Sequence, residues 1–258
     1  MKEFKYIYGP VLSWRLGRSL GIDLLSCKDK ICNFNCAYCQ IKETKFYTVE
    51  RKIFAPTEKI IEEIKNIPAV PIDYITFSGR GEPTLAKNLG DAIKEIKKMR
   101  KEPIAVLTNS SLLPREDVRE DLLGSDLVSC KIDAKDGKEF LLMNRPESGI
   151  SFESVLSGII KLRKRYKNKF AVQIMFTKEN IKDAQKIAKL VKLIKPDEVE
   201  INTPMRLSSV KALSKSDIFK IRNYFKDFYV ITVYDKKPKK SPPISRKGIS
   251  ARRGKESV

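Results

Sequence analysis

From Thr57 onward the apolar positions of the chain fall into two alternating periods. The stretch TEKIIEEIKNI (57–67) sets Ile60, Ile61 and Ile64 on one face of a helix that Thr57 opens as N-cap. Asp73–Phe77 (DYITF) is a short apolar run rich in β-branched and aromatic residues, and predicts a strand. The two patterns repeat: a helix over Asn88–Arg100, a strand over Pro103–Leu107, a short helix over Pro114–Leu123 with proline at its first position, a strand over Asp126–Asp133. Then come a helix over Phe152–Lys167, a strand over Phe170–Phe176, a helix over Ile181–Ile194, a strand over Glu198–Ile201, a helix over Lys215–Phe225 and a last strand over Tyr229–Val233. Ahead of Thr57, Ser19–Leu25 predicts a first strand. Residues 1–20 read as irregular around Gly9-Pro10 and Gly17, and 26–56 as a polar connection holding a cluster of cysteines.

Six or seven strand–helix units predict a parallel sheet covered by helices. They are too few for a closed eightfold barrel, so a partial barrel and a doubly wound sheet both fit. In either, polar groups at the C-terminal ends of the strands face the functional mouth. No internal repeat and no second domain is visible, so residues 1–235 read as one domain. Lys236–Val258, with Pro238, Pro242, Pro243 and nine cations against one Glu, reads as a disordered basic tail.

Charge changes the picture. The 258 residues hold 52 Lys+Arg and 32 Asp+Glu, a formal net charge of +20, of which the tail carries +8. A basic body with a basic tail favours polyanionic partners, nucleic acid above all, against the alternative of a solvated Lys-rich surface. Histidine is absent. That excludes Ser-His-Asp and Cys-His catalysis, imidazole acids and bases, and HExxH zinc sites. No apolar run reaches the length of a membrane span, and the N-terminal residues lack the apolar stretch of a secretion signal; both point to the cytoplasm.

Four of the five cysteines lie within residues 27–39, and Cys32, Cys36 and Cys39 form a C-x3-C-x2-C run. Thiolates suit zinc or iron–sulfur clusters. A structural zinc site closes with four ligands, often as two CxxC pairs, and no histidine is present to complete one here. Three thiolates on a four-iron cluster leave one iron open, as catalysis requires. Cys130 reads as a buried strand residue, and Cys27 has no clear assignment. Downstream, the Asp73–Phe77 strand runs into Ser78-Gly79-Arg80-Gly81-Glu82-Pro83, which alone is an ordinary glycine-rich turn. Further polar groups stand at strand ends: Thr108-Asn109-Ser110, Asp133, Gln173 with Met175, and Asn202-Thr203. Each is a candidate cofactor or substrate contact or else a cap or turn residue.

These motifs resemble those of the radical SAM enzymes, whose hallmark is a CxxxCxxC loop after the first strand of a partial (β/α)6 TIM-like barrel of parallel strands with outer helices. The resemblance implies a [4Fe–4S] cluster held by Cys32, Cys36 and Cys39, with S-adenosylmethionine (SAM) on the fourth iron. It implies that Tyr38 lies near the adenine. Gly79, Arg80, Gly81, Glu82 and Pro83 stand where the family's GGEP motif binds the cofactor's ammonium, with Arg80 in place of the first glycine of GGEP. Thr108, Asn109 and Asp133 fall where relatives touch the methionyl or ribose parts. It also implies reductive SAM cleavage to a 5′-deoxyadenosyl radical, fed by a flavodoxin- or ferredoxin-type electron donor.

The stretch Gly9–Leu24, CNFNCAYCQ, TFSGRGEPTL, VLTNSSLL and Asn144-Arg145-Pro146 are similar to a subgroup grouped with the wyosine-synthase-like, tRNA-modifying enzymes. Position 14 is often Arg in that group and is Trp here. Extra N-terminal cysteines for a second cluster, which archaeal wyosine synthases carry, are absent. The leading expectation is a radical SAM oxidoreductase acting on tRNA or other RNA. The alternatives are the same chemistry on a protein or small molecule, and a non-catalytic, metal-stabilised RNA-binding module. Without histidine, proton transfers fall to other groups, with Asp133 and Lys131 as candidates.

Overall fold

The computed structural model describes residues 4–27, 29–41, 43–235 and 241–253. In chain order these form β1 (Ile7–Ser13), β2 (Gly17–Ile22), β3 (Ile31–Cys32), β4 (Phe46–Tyr47), α1 (Thr57–Lys65), β5 (Tyr74–Phe77), α2 (Leu89–Lys97), β6 (Ile104–Thr108), α3 (Glu116–Leu123), β7 (Leu127–Lys131), α4 (Gly137–Asn144), α5 (Phe152–Arg165), β8 (Lys169–Met175), α6 (Ala184–Ile194), β9 (Glu198–Asn202), α7 (Lys215–Arg222), β10 (Val230–Thr232) and α8 (Arg246–Arg253). Eight strands make one sheet in the order β1-β2-β5-β6-β7-β8-β9-β10. β1 and β2 are antiparallel, and every pairing from β2 to β10 is parallel. Six helical crossovers link those seven strands, and the sheet curls into the half-barrel expected from the strand–helix alternation.

The helices dock as their patterns predict. Ile60 and Ile64 of α1, Leu89, Ile93 and Ile96 of α2, and Val155, Ile159 and Leu162 of α5 are buried against the sheet. The central parallel strands are buried on both faces, so Leu127–Cys130 is buried at every position rather than at alternate ones. Cys130 is inside the core, as expected. Ser151 and Ser214 accept from the amides of Ser154 and Asp217, three residues into α5 and α7, at 3.1 Å each.

Four local expectations are corrected. Residues 7–13, read as irregular, form edge strand β1. Gly9-Pro10 sits where its register against β2 shifts, and a proline is tolerated at such a bulge on an edge. Residues 137–144, for which the pattern predicts no element, form α4. Helix α3 starts at Glu116, so Pro114 precedes it rather than opening it. Within the stretch read as a disordered tail, Arg246–Arg253 is a helix docked against β1. Ile244 donates its amide to the Gly9 carbonyl at 2.6 Å, and Ile244 and Ile249 are buried. Residues 236–240 and 254–258 of that stretch lie outside the described residues. Among the described residues no helix is long and apolar enough to cross a membrane.

Candidate active site

The cysteine loop is pinned by backbone before any side chain is considered. Ile31 pairs with Gly81 and its amide donates to the Arg80 carbonyl at 3.2 Å, so the strand into Cys32 lies directly on the Gly-Glu-Pro turn. On the other side, the amides of Asn35 and Ala37 donate to the carbonyls of Asn144 and Met143 at 3.1 and 2.9 Å. Those carbonyls are the last two of α4, which have no donor within the helix. Arg145, at φ 45°, turns the chain out of α4. The Cys39 amide closes a turn onto the Cys36 carbonyl at 3.0 Å.

Each of the three sulfurs accepts from a side-chain nitrogen. Asn109 Nδ2 lies 3.7 Å from Cys32 Sγ, Asn144 Nδ2 3.6 Å from Cys36 Sγ, and Lys30 Nζ 3.2 Å from Cys39 Sγ. Burial pushes the Cys32 thiol up to about 12, against the opposing Lys30 charge, and raises Cys36 as well. Burial alone would lower Lys30; the surrounding sulfurs of Cys39, Cys32 and Cys36 hold its ammonium above the ordinary range. Thiols of this kind lose their protons when metal binds. Among the described residues no three His, Cys, Asp or Glu side chains converge on a single ion. Three sulfurs on one loop, each with an N–H donor, are a donor set that suits an iron–sulfur cluster, whose thiolates sit on different irons.

Glu82 is the second buried feature. Its Oε1 accepts from Thr84 N at 3.1 Å and from the hydroxyls of Thr84 and Thr108 at 2.7 Å each; its Oε2 accepts from Asn109 N at 2.6 Å. Burial pushes this carboxyl up, and the four donors counter it. The turn from β5 and the end of β6 are thus tied through one side chain. A methyl group at position 81 would fall on the Ile31 carbonyl oxygen, and one at 79 on the Asp23 carboxylate. Gly81→Ala is therefore expected to push the turn off the cysteine strand. It should cost about 1–3 kcal/mol in urea unfolding and lower iron incorporation on reconstitution; unchanged values in both would refute this role for Gly81.

Asp133, just past β7, is enclosed. Its Oδ1 accepts from Met175 N at 2.7 Å; its Oδ2 accepts from Asn144 Nδ2 at 2.9 Å and from the Tyr38 hydroxyl. Lys131 Nζ stands 3.9 Å from Oδ2 and 4.7 Å from the centre of the Tyr38 ring. Burial, then the nearby Asp133 charge, raises Tyr38 well above the phenol range.

The structure therefore gathers Cys32, Cys36, Cys39, Tyr38, Gly81, Glu82, Thr108, Asn109, Asp133 and Lys131 around one loop at the C-terminal ends of β5, β6 and β7. Pro83 is buried at the start of the turn that follows Glu82. The Arg80 guanidinium donates to the carbonyls of Cys27 at 2.6 Å and Ala251 at 3.1 Å, tethering α8. Ser110 accepts from Lys131 N at 2.9 Å and so holds adjacent strand ends together. The side chains of Asn202 and Thr203 serve backbone turns, accepting from Thr203 N and Leu213 N, while Gln173 contributes its carbonyl to Ile132 N.

Sequence reasoning missed Lys30, Arg206 and Arg253, and singled out Asn144 only within a resemblance. A cavity of about 630 Å³ opens beside Cys36 and Cys39, walled also by Gln40, Arg145, Arg206 and Arg253. Arg206 and Arg253 also border a smaller cavity of about 210 Å³ that reaches Ser19, Thr76 and Ser78 inside the half-barrel.

The model of the Radical SAM superfamily matches residues 30–191. UPF0026 protein slr1464 of Synechocystis sp. is 42% identical over 209 residues, covering 79% of this chain and 77% of its own length. Among solved structures, native anSMEcpe with bound AdoMet aligns with a TM-score of 0.61 at 18% identity, over 84% of this chain and 64% of that one. An archaeal TYW1 aligns at 0.58 and 19%, over 82% and 72%. At such identities the two structures share a fold with this chain.

Proposed function

We infer, for a chain that belongs to the radical SAM superfamily, an enzyme whose reaction begins with reductive cleavage of SAM and proceeds by hydrogen abstraction from an RNA substrate. When bound, the cluster and SAM would supply the 5′-deoxyadenosyl radical. The observation that carries this reading is the set of three thiols, each facing an N–H donor, on a loop clamped between the Gly-Glu-Pro turn and α4.

The chain's own residues prepare that chemistry. Cys32, Cys36 and Cys39 would hold the cluster. Asn109, Asn144 and Lys30 would donate to its sulfurs, a contact that tunes reduction potential. Glu82 is joined to Cys32 through Asn109, and its carboxylate is suited to a cationic ammonium. Asp133 keeps Tyr38 and Asn144 in place, so the loop cannot rotate without breaking a buried hydrogen-bond network. A flavodoxin- or ferredoxin-type protein is the expected electron donor. For RNA, the support is the net charge of +20, of which +12 lies outside the last 23 residues.

The test is anaerobic. The chain is reconstituted with iron and sulfide, reduced with dithionite and given SAM, with and without tRNA. Release of 5′-deoxyadenosine, increased by tRNA, is the expected result. None with a full cluster in either arm would overturn the SAM reading. Release indifferent to every RNA tried would overturn the RNA reading and leave the chemistry standing.

A further inference from the structure

Past the cysteine loop, residues 46–53 are firmly held and yet leave four large apolar side chains in solvent. Arg51 is the anchor. Its side chain is 5% exposed, and it donates Nε to the Thr84 carbonyl at 2.9 Å, Nη2 to the Ala86 carbonyl at 3.0 Å and Nη1 to Asp117 Oδ2 at 2.8 Å. Beside it the Lys52 amide donates to the Leu85 carbonyl, and the Lys87 amide to the Lys52 carbonyl, at 3.0 Å each. Phe46, Tyr47, Val49 and Ile53 nonetheless stay exposed, Phe46 and Ile53 at 58% and 60%. One exposed apolar residue is ordinary; four on one short anchored segment mark a contact surface.

Position tells what the surface is for. Cys32 and Tyr47 are partners across the parallel β3–β4 pair, and paired strands lie about 4.8 Å apart. Cys36 and Cys39 line the large cavity, whereas Cys32 is buried beside β4. A substrate must bring its reacting atom through the cavity. A partner that only passes an electron needs closeness to one cluster ligand and no access to the cavity. Of such partners, the chain's net charge of +20 selects an acidic one. Lys45 and Lys52 stand beside the apolar residues in surface pairs with Asp29 and Glu50, at 3.4 and 2.8 Å, a polar rim to an apolar centre.

We propose that the β4 segment is the docking surface for the electron carrier, an acidic protein of flavodoxin or ferredoxin type, with Phe46 and Ile53 as its apolar contacts. The proposal rests on Cys32 holding the cluster. The carrier loses one electron to the oxidised cluster, and no bond is made or broken. A small patch suffices, because electron-transfer encounters bury little area.

The reconstituted full chain is titrated anaerobically by calorimetry with a purified acidic flavodoxin and, separately, with a purified acidic ferredoxin. Electron transfer from flavodoxin hydroquinone is followed by semiquinone absorbance, with dithionite reduction as the reference. Saturable binding of at least one carrier is expected, weakening with added salt. It should weaken about 10-fold or more when Phe46→Ser and Ile53→Ser are combined, with iron content and dithionite reduction unchanged. Leu193→Ser removes another exposed side chain, on α6, and should change nothing. Should the double variant melt early, Phe46→Ser alone carries the comparison. No saturable binding of either carrier, equal affinity in wild type and patch variant, or the same loss in Leu193→Ser would overturn the proposal. So would tRNA binding that depends on Phe46 and Ile53 while carrier binding does not, or a dimer that the patch variant dissolves. Binding is read without SAM, so patch-dependent carrier binding with no 5′-deoxyadenosine counts against the SAM reading alone. 5′-Deoxyadenosine formed with dithionite, but with neither carrier bound, counts against the docking surface alone.

Discussion

Cys36→Ala is expected to lose the cluster altogether: iron recovered after anaerobic reconstitution falls from about four per chain to background, and 5′-deoxyadenosine formation stops. Cys36 is the middle ligand of the loop. Its sulfur faces Asn144 Nδ2, and the amide one residue on is anchored to the Met143 carbonyl. The two other thiols lie elsewhere: Cys130 is buried in β7, and Cys27 lines a separate cavity with Ser26, Arg80 and Arg252. The loss should exceed the 10- to 100-fold typical of changing a residue that only orients a ligand. Cys130→Ala is the control, since it also removes a thiol but leaves the loop intact. If Cys36→Ala kept both its iron and its turnover, the metal assignment would fail.

The second large effect concerns stability. Arg252, on α8, donates Nε to Asp23 Oδ2 at 2.8 Å, and the two side chains are 4% and 2% exposed. The guanidinium lies 5.0 Å from the centre of the Tyr8 ring and also donates to Ser26 Oγ at 2.8 Å. Asp23, at the end of β2, accepts in addition from Arg80 N at 3.3 Å and Leu25 N at 3.2 Å, which fixes the turn carrying Gly79. Arg252→Ala strands that carboxylate in the core. Breaking a buried pair from one side costs about 3–5 kcal/mol, to be read as a drop in urea midpoint at constant slope. A paired Asp23→Asn, Arg252→Met variant should recover most of it, because it removes both charges. A loss below about 1 kcal/mol, the range of an exposed pair, would mean that α8 is not docked as described.

The C-terminal helix marks where sequence reasoning reaches its limit. Residues 241–253 are polar, proline-flanked and cationic, a composition that predicts disorder. What orders them is distant: the Gly9 carbonyl for Ile244, Asp23 for Arg252, and Arg80 for the Ala251 carbonyl. None of these partners is within 150 residues. Helix α4 is a different miss, because its signal was present. Asp136 caps the Glu139 amide at 2.9 Å, and the Glu139 carboxylate returns to Lys135 N at 2.7 Å, a D-x-x-E start that can be read directly. The apolar stripe that usually accompanies such a start is weak here, since Leu141 and Leu142 are exposed. Arg80 is a third case. The motif shows only that it replaces a glycine of GGEP, and the fold ties its guanidinium to the Ala251 carbonyl of α8.

The strand–helix alternation, the parallel sheet, the cysteine loop and the Gly-Glu-Pro turn are legible in the order of residues alone. Those features are set by local periodicity and by spacings of a few residues, which chain stereochemistry converts directly into geometry. Only the folded chain settles which nitrogen faces each sulfur, that α8 completes the cavity wall, and that Arg206 and Arg253 meet beside Cys36 and Cys39. Each of these depends on groups far apart in the chain that meet only after apolar burial has closed the half-barrel, and no local pattern encodes such a meeting.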